Sequence, residues 1–423
     1  MMSVGVVQRS LGTWGAVAIG LGSMIGAGLF SVFGPAARAA GALMPVALVV
    51  AAVVAWCNAR SSAQLAAAFP TAGGTYVYGR RMLGQWPGFI AGWGFVIGKT
   101  ASCAAIALTI GHAVLPDPWA RLAAVGAVIL VLGVNAFGIT RTATASVVIV
   151  GLVLAVLVVF LIITFTAWQN GDASALGRDG GGSIEADAFG VLRAAGLLFF
   201  AFAGYARVAT LGEEVRNPER TIPRAITASL LVTLVVYGLV CAAVLTLLGT
   251  DGVAASISPI VAAARATVPT WLPTLVAVAA AVAAAGSLLA LTAGVGRTTL
   301  AMAREGDLPS GLSRLDRRHG TPWVADAVLG VIVCVLVAFG DITTVIGFSS
   351  FAVLVYYLVA NLSAFRQQGA HRLSPRAVQV IGAAGCVALA CALPVASVLT
   401  GLAVLLLGVG YRIVRLRLVR ARK

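Results

Sequence analysis

Few side chains able to do chemistry fall inside the long apolar runs of this chain. They are Arg60, Lys99, Arg207 and Arg297, with Glu213 and Glu214 at the end of one run. His112, His319 and His371 stand at run ends or between runs. Cys57, Cys103, Cys241, Cys334, Cys386 and Cys391 lie within runs and lack metal-ligand spacing. No convergent set offers nucleophilic, acid–base or metal chemistry, so no catalytic residue, metal or cofactor is expected. Gly73 and Gly74 in "AGGTY" match neither a P-loop nor a dinucleotide fingerprint, and no strand precedes them. What remains is backbone chemistry. The stretch "GLGSMIGAGLF" puts Gly20, Gly22, Gly26 and Gly28 inside the first apolar run, where each interior glycine costs a helix about 1 kcal/mol. A helix broken here would restart after Gly26, aiming the N–H groups of Ala27 and Gly28 at an anion such as a carboxylate. The carbonyls ending its first half, near Met24, would suit an ammonium. Taken alone, the glycines are equally open to a second reading, close helix crossing.

The surrounding elements make the break plausible. The chain has 423 residues, 60% of them hydrophobic and 10% charged, with a mean hydropathy of +1.01. That leaves too little polar surface for a water-soluble globule. In lipid each backbone amide must be satisfied locally, so the recurring apolar runs predict an all-α polytopic membrane protein. Twelve spans are read: 14–38, 41–68, 86–112, 119–138, 144–168, 189–212, 222–249, 271–302, 322–340, 342–365, 376–394 and 395–414. Only Pro394 separates the last two, and an eleven-span reading would send the C-terminal tail to the opposite side. The first run is too long for a signal-peptide core, so it is read as retained despite the small residues of "PAARAAGA".

Net charge is +15, and its distribution points to a bilayer rather than to nucleic acid. One side holds Arg9, Arg80, Arg81, Arg141, Arg216, Arg220, Arg224, Arg304, Arg314, Arg317, Arg318, Arg366, Arg372, Arg376 and the basic tail from Arg412 to Lys423; the other holds Arg38, Arg121, Arg178, Arg193 and Arg265. This bias places both termini in the cytoplasm of a multi-pass protein of the cell membrane. The long loop "QNGDASALGRDGGGSIEADA" divides the first ten spans into five and five. The resulting units are 1–168, a loop at 169–188, 189–365, and two further helices with a basic tail at 366–423. Span six carries "FFAFAGYARVAT" with Gly204 at its centre. Glycine interruptions at corresponding places in two halves point to a transporter with an inverted repeat and a midplane site.

Four stretches give this pattern a family likeness: "GSMIGAGLF" from Gly22, "SSAQLAAAFPTAGGTYVYGRRMLG" from Ser61, "FFAFAGYARVATLGEEVRNPERTIPRAI" from Phe199 and "RTTLAMAREGDLPSGL" from Arg297. In this order the chain resembles the amino acid–polyamine–organocation superfamily. The resemblance implies the leucine-transporter fold and secondary transport of amino acids or related amines, driven by protons or by exchange. It implies a site lined by Met24, Ile25, Gly26, Ala27 and Gly28 in span one and by Phe200, Ala203, Gly204 and Tyr205 in span six. The substrate carboxylate would meet Ala27 and Gly28, its amine the carbonyls near Met24, Phe200 and Ala203, and Phe200 would act as a lid. Members that take basic amino acids or polyamines carry Asp or Glu two residues after the span-six glycine; here Ala206 stands there. Leu291 takes the place of a gating aromatic in span eight. A neutral amino acid is therefore the expected substrate, with acidic amino acids, other amines and export as alternatives.

Arg60 and Arg297 lie towards span ends and can snorkel. Arg207 follows the span-six break and is expected to pair with Glu213 or Glu214, closing an inner gate; the two carboxylates are also open to a proton-coupling role. Lys99 is at the middle of span three, where an ammonium costs roughly 3 kcal/mol. In some proton-coupled relatives a span-five lysine replaces a sodium ion, but span five here has Val153 at the corresponding place. Lys99 is expected to supply that charge from a neighbouring helix, bracing the break in span one. The other reading is a lysine satisfied by carbonyls with no part in coupling.

Overall fold

A computed structural model describes residues 11–69, 73–116, 118–137, 142–170, 187–209, 211, 214–316, 318–369 and 372–421. Glu213, His371, Arg9, Arg141, Arg178, Arg317 and most of the loop between spans five and six lie outside them. The first half of the chain forms α1 (Thr13–Met24), α2 (Ala27–Ser31), α3 (Phe33–Ala40), α4 (Met44–Ala68), α5 (Thr75–Met82), α6 (Gln85–Val114), α7 (Ala120–Ala136) and α8 (Thr142–Gln169). The second half forms α9 (Ala188–Phe202), α10 (Ala206–Ala209), α11 (Pro218–Ala255), α12 (Pro259–Arg265), α13 (Leu272–Arg304), α14 (Trp323–Phe339), α15 (Ile342–Arg366), α16 (Arg376–Ala392) and α17 (Val395–Ala421).

Nine helical segments among the described residues are long and apolar enough to cross a membrane, and α7, α14 and α16 are shorter apolar helices. They fall at the positions of the twelve predicted spans. The short α5 and α12 occupy stretches read as loops, because eight and seven residues are too few to register as spans. Span seven is longer than expected: α11 starts at Pro218 and runs past a kink at Gly249, whose φ of 66° is left-handed.

Burial ranks the helices. The most apolar window of α6 is 94% buried, whereas that of α17 is 22% buried, so α6 is the central post and α17 a peripheral stave. Small residues allow this density: the buried face of α4 is mostly alanine and serine, which lets backbones approach closely.

A buried polar cluster ties the last helices to that centre. Asn361 on α15 donates to Asn58 Oδ1 on α4 at 2.6 Å and accepts from Ser61 Oγ at 2.7 Å. Cys386 on α16 donates its thiol to Asn58 at 3.3 Å. Gln64 Oε1 accepts from the amides of Leu373 and Ser374 at 3.1 and 3.2 Å, fixing the approach to α16. Replacing Asn361 by Leu strands the Ser61 hydroxyl and leaves the Asn58 carbonyl only the weak thiol of Cys386, at about 1–3 kcal/mol for a buried group left unpaired. Asn361→Leu should unfold in detergent at a clearly lower temperature than the wild type. Ser363→Ala, which removes only a bond to Val359 within the same helix, should unfold near the wild-type temperature.

Candidate substrate site

The first break is a true interruption. The helix α1 stops at Met24, and the Ile25 amide turns back to Leu21 O at 2.7 Å. The next helix restarts at Ala27 behind Gly26, and no side chain caps its first turn, so its amides stay available to an anion. The second break is a tightening rather than a gap: α9 passes into a 3₁₀ turn over Ala203–Tyr205 and then into α10. The Ala203 amide donates back to the carbonyls of Phe199 and Phe200, so the Phe200 carbonyl expected to receive an amine already ends a helix.

The two breaks press together backbone to backbone. A methyl group on Gly204 would strike the Ser23 carbonyl, and one on Gly28 would lie 2.7 Å from Ala201 Cα. Close crossing and interruption, opened as alternatives by the sequence, are therefore one arrangement. Met24, Ile25, Ala203, Tyr205 and Ala206 are all buried, so the breaks are shut from solvent. Phe200 is 9% exposed where Phe199, Phe202 and Tyr205 are each 0%.

The freed carbonyls already have donors, and all but Lys99 come from residues the sequence reading missed. Tyr237 on α11 places its hydroxyl 2.5 Å from Met24 O and 3.2 Å from Ala201 O. A phenol has one proton, so the oxygens of both breaks converge on a single donor. Ser287 on α13 donates to Gly22 O at 2.7 Å. Tyr357 on α15 and Lys99 on α6 both donate to Ala203 O, at 3.3 and 3.2 Å. The ring of Tyr357 also lies 5.1 Å from that of Tyr205. A hydroxyl within an apolar run must find a partner, and that was the available signal for Tyr237, Tyr357 and Ser287. Leu291, one turn beyond Ser287, packs among hydrophobic side chains, and the contact with the break falls to the serine. Lys99 is 6% exposed and reaches the break of span six, not that of span one as its position suggested.

Below the breaks an ion-paired cluster closes the arginine-rich face. Glu214 Oε1 lies 3.3 Å from Arg297 and 4.0 Å from Arg207. The pairing of Arg207 with Glu214 follows the sequence reading. Arg297, read there as a snorkelling residue, instead joins α13 to the end of span six. Backbone bonds lock the same place: Leu11 N donates to Glu214 O at 3.1 Å and Arg216 N to Leu11 O at 2.9 Å, a parallel bridge between Leu11 and Val215.

Comparisons with known proteins give the chain a family. Residues 11–411 match the family model described as amino acid permease. An uncharacterised transporter of Mycobacterium tuberculosis is 51% identical over 420 residues, covering 99% of this chain and 94% of that protein. The branched-chain amino acid permease of Bacillus subtilis is 27% identical, covering 78% of this chain and 74% of its own length. Cationic amino acid transporter 7, chloroplastic, of Arabidopsis thaliana is 27% identical over 85% of this chain and 66% of its own.

Two substitutions test the geometry. Gly28→Val drives a side chain into the α9 backbone and should abolish uptake in proteoliposomes while the protein still inserts. Tyr237→Phe keeps the ring and removes the shared proton, leaving the Met24 and Ala201 oxygens without it; the loss of about 1 kcal/mol should lower the unfolding temperature in detergent.

Proposed function

The chain belongs to the amino acid permease family, and from that premise we propose that this amino acid transporter carries a neutral amino acid with a small or apolar side chain across the cell membrane, coupled to protons or by exchange. The observation that carries this reading is the meeting of an uncapped helix start with converging carbonyls at the two breaks. The carboxylate is taken by the amides of Ala27 and Gly28. The amine is taken by the oxygens of Met24, Ala201 and Ala203 once Tyr237 or Lys99 yields. Ala206 is buried and apolar where a basic side chain would need an acid. The Bacillus relative is named for branched-chain amino acids, in keeping with a neutral substrate, and the Arabidopsis relative for cationic ones.

Residues 1–168 and 189–365 form the two inverted repeats, and both termini face the cytoplasm. Lys99 carries the coupling charge, and Glu214 with Arg207 and Arg297 forms the inner gate. An acidic amino acid is the second reading, favoured by the buried Lys99 ammonium on Ala203 O.

The test is uptake into proteoliposomes under an imposed pH gradient. Arginine, lysine and putrescine should compete weakly against a neutral amino acid; if one of them is the tightest ligand, the assignment from Ala206 is wrong. Lysine can release a proton when desolvated, whereas arginine stays charged. Lys99→Met should therefore lose proton-driven accumulation and keep exchange, and Lys99→Arg should not restore it. Wild-type pH dependence of uptake by Lys99→Met would remove the coupling role.

A further inference from the structure

The last helix ends in a basic run of which the transport reading makes no use. Arg412 on α17 is turned inward: it is 3% exposed, reaches Asp307 Oδ1 at 3.2 Å and lies over the rings of Trp86 and Phe89 at 4.9 and 4.7 Å. Arg415, one turn later, faces a cavity of about 360 Å³ between α17 and the turn Pro309–Gly311, walled by Tyr411, Val414 and Leu418. Its Nη1 donates to the Leu308 carbonyl and to the Tyr411 hydroxyl. Among the described residues, Nε and Nη2 have no hydrogen-bond partner, leaving one edge of the guanidinium unspent.

The carboxylates nearby are already engaged. Asp307 is held by Arg80 at 2.8 Å and by Arg412, and Glu305 by Arg80 at 3.2 Å. Asp316 accepts from the backbone and ring of His319, and these bonds hold its carboxyl below the ordinary range. Arg304 and Arg314, which flank the Pro309–Gly311 turn in sequence, and Arg417 on α17 have no carboxylate partner among the described residues. Two part-exposed aromatics accompany the groove: Tyr411 in its wall, and Trp86 against Arg412. Such side chains collect at the headgroup level of a bilayer. Beyond the guanidinium, Val414 and Leu418 expose an apolar wall, 57% and 58% open.

We propose that the groove between the end of α17 and the Pro309–Gly311 turn binds the phosphate of an anionic glycerophospholipid. The free edge of Arg415 makes paired hydrogen bonds to two phosphate oxygens, as a guanidinium does best. The Ser310 hydroxyl, on the opposite wall, donates to the headgroup, and an acyl chain lies along Val414 and Leu418. A free anion satisfies only the first of these contacts.

The experiment compares the full chain in nanodiscs of phosphatidylglycerol and of phosphatidylcholine, reading thermal unfolding and the lipid retained by native mass spectrometry. Phosphatidylglycerol should stabilise the wild type and be retained as a bound lipid. Arg415→Gln should weaken that retention about fivefold, the effect of one interfacial arginine. A Cβ at Gly311 would meet nothing within 4 Å, and Gly311 lines the groove, so Gly311→Leu adds bulk there and should weaken retention while leaving Arg415 in place. If both variants keep wild-type retention, the tail acts as diffuse charge and the site is overturned. If inorganic phosphate in phosphatidylcholine nanodiscs reproduces the stabilisation, the ligand is a free anion and the lipid assignment falls.

Discussion

A backbone carbonyl in the middle of a bilayer has no water to turn to, and leaving one unpaired costs several kcal/mol. Two helices here are interrupted at that depth, and the surrounding architecture answers the resulting demand. Donors arrive from four helices: Tyr237 from α11, Ser287 from α13, Tyr357 from α15 and Lys99 from α6. Each lies on a long helix of 25 residues or more, so the interrupted pair is held by longer elements. Phe202 packs on Tyr237 at 5.1 Å and Phe199 meets Tyr357 edge-on at 5.8 Å, which fixes the phenols that carry the donors.

This arrangement also defines what a ligand must do. An incoming ammonium offers more protons to the Met24 and Ala201 oxygens than the phenol of Tyr237, which has one to share. At Ala203 it meets a resident ammonium, and two such charges about 4 Å apart repel by roughly 4 kcal/mol at a protein-like dielectric. On the proposed binding mode, substrate entry and the position of Lys99 would be two faces of one balance. Within that balance the glycines are fixed by contact, since at Gly204 and Gly28 the neighbouring backbone fills the place of a side chain.

Much of this was legible in the chain. Hydropathy located the spans because lipid forces helices, and the glycines of span one marked a break because few structures accept them there. The pairing of Arg207 with Glu214 was readable because the two residues are close in sequence and on one side of the membrane. What escaped reading has a common cause. Ser287 lies 265 residues from Gly22, and Tyr237 lies 213 from Met24. No periodicity within one helix reports which carbonyl of another it will face. Lys99 was recognised as anomalous from its depth, yet its partner turned out to be the second break, because the rotation of α6 is set by packing against α15 and α13. The helix α5 was hidden by its brevity, and the role of Arg297 by its nearness to a span end, where a snorkelling arginine looks the same.

The bridge between Leu11 and Val215 has a mechanical meaning. Two backbone hydrogen bonds, at 3.1 and 2.9 Å, rivet the chain ahead of α1 to the segment that follows α10. Across the same seam, α13 is joined to Glu214 by an ion pair whose Arg297 side chain is 55% exposed. A half-exposed ion pair is weakened by water and salt, whereas the riveted backbone pair is set into the fold. Of the two joins across this seam, the Arg297 ion pair is therefore the weaker and the backbone pair between Leu11 and Val215 the firmer.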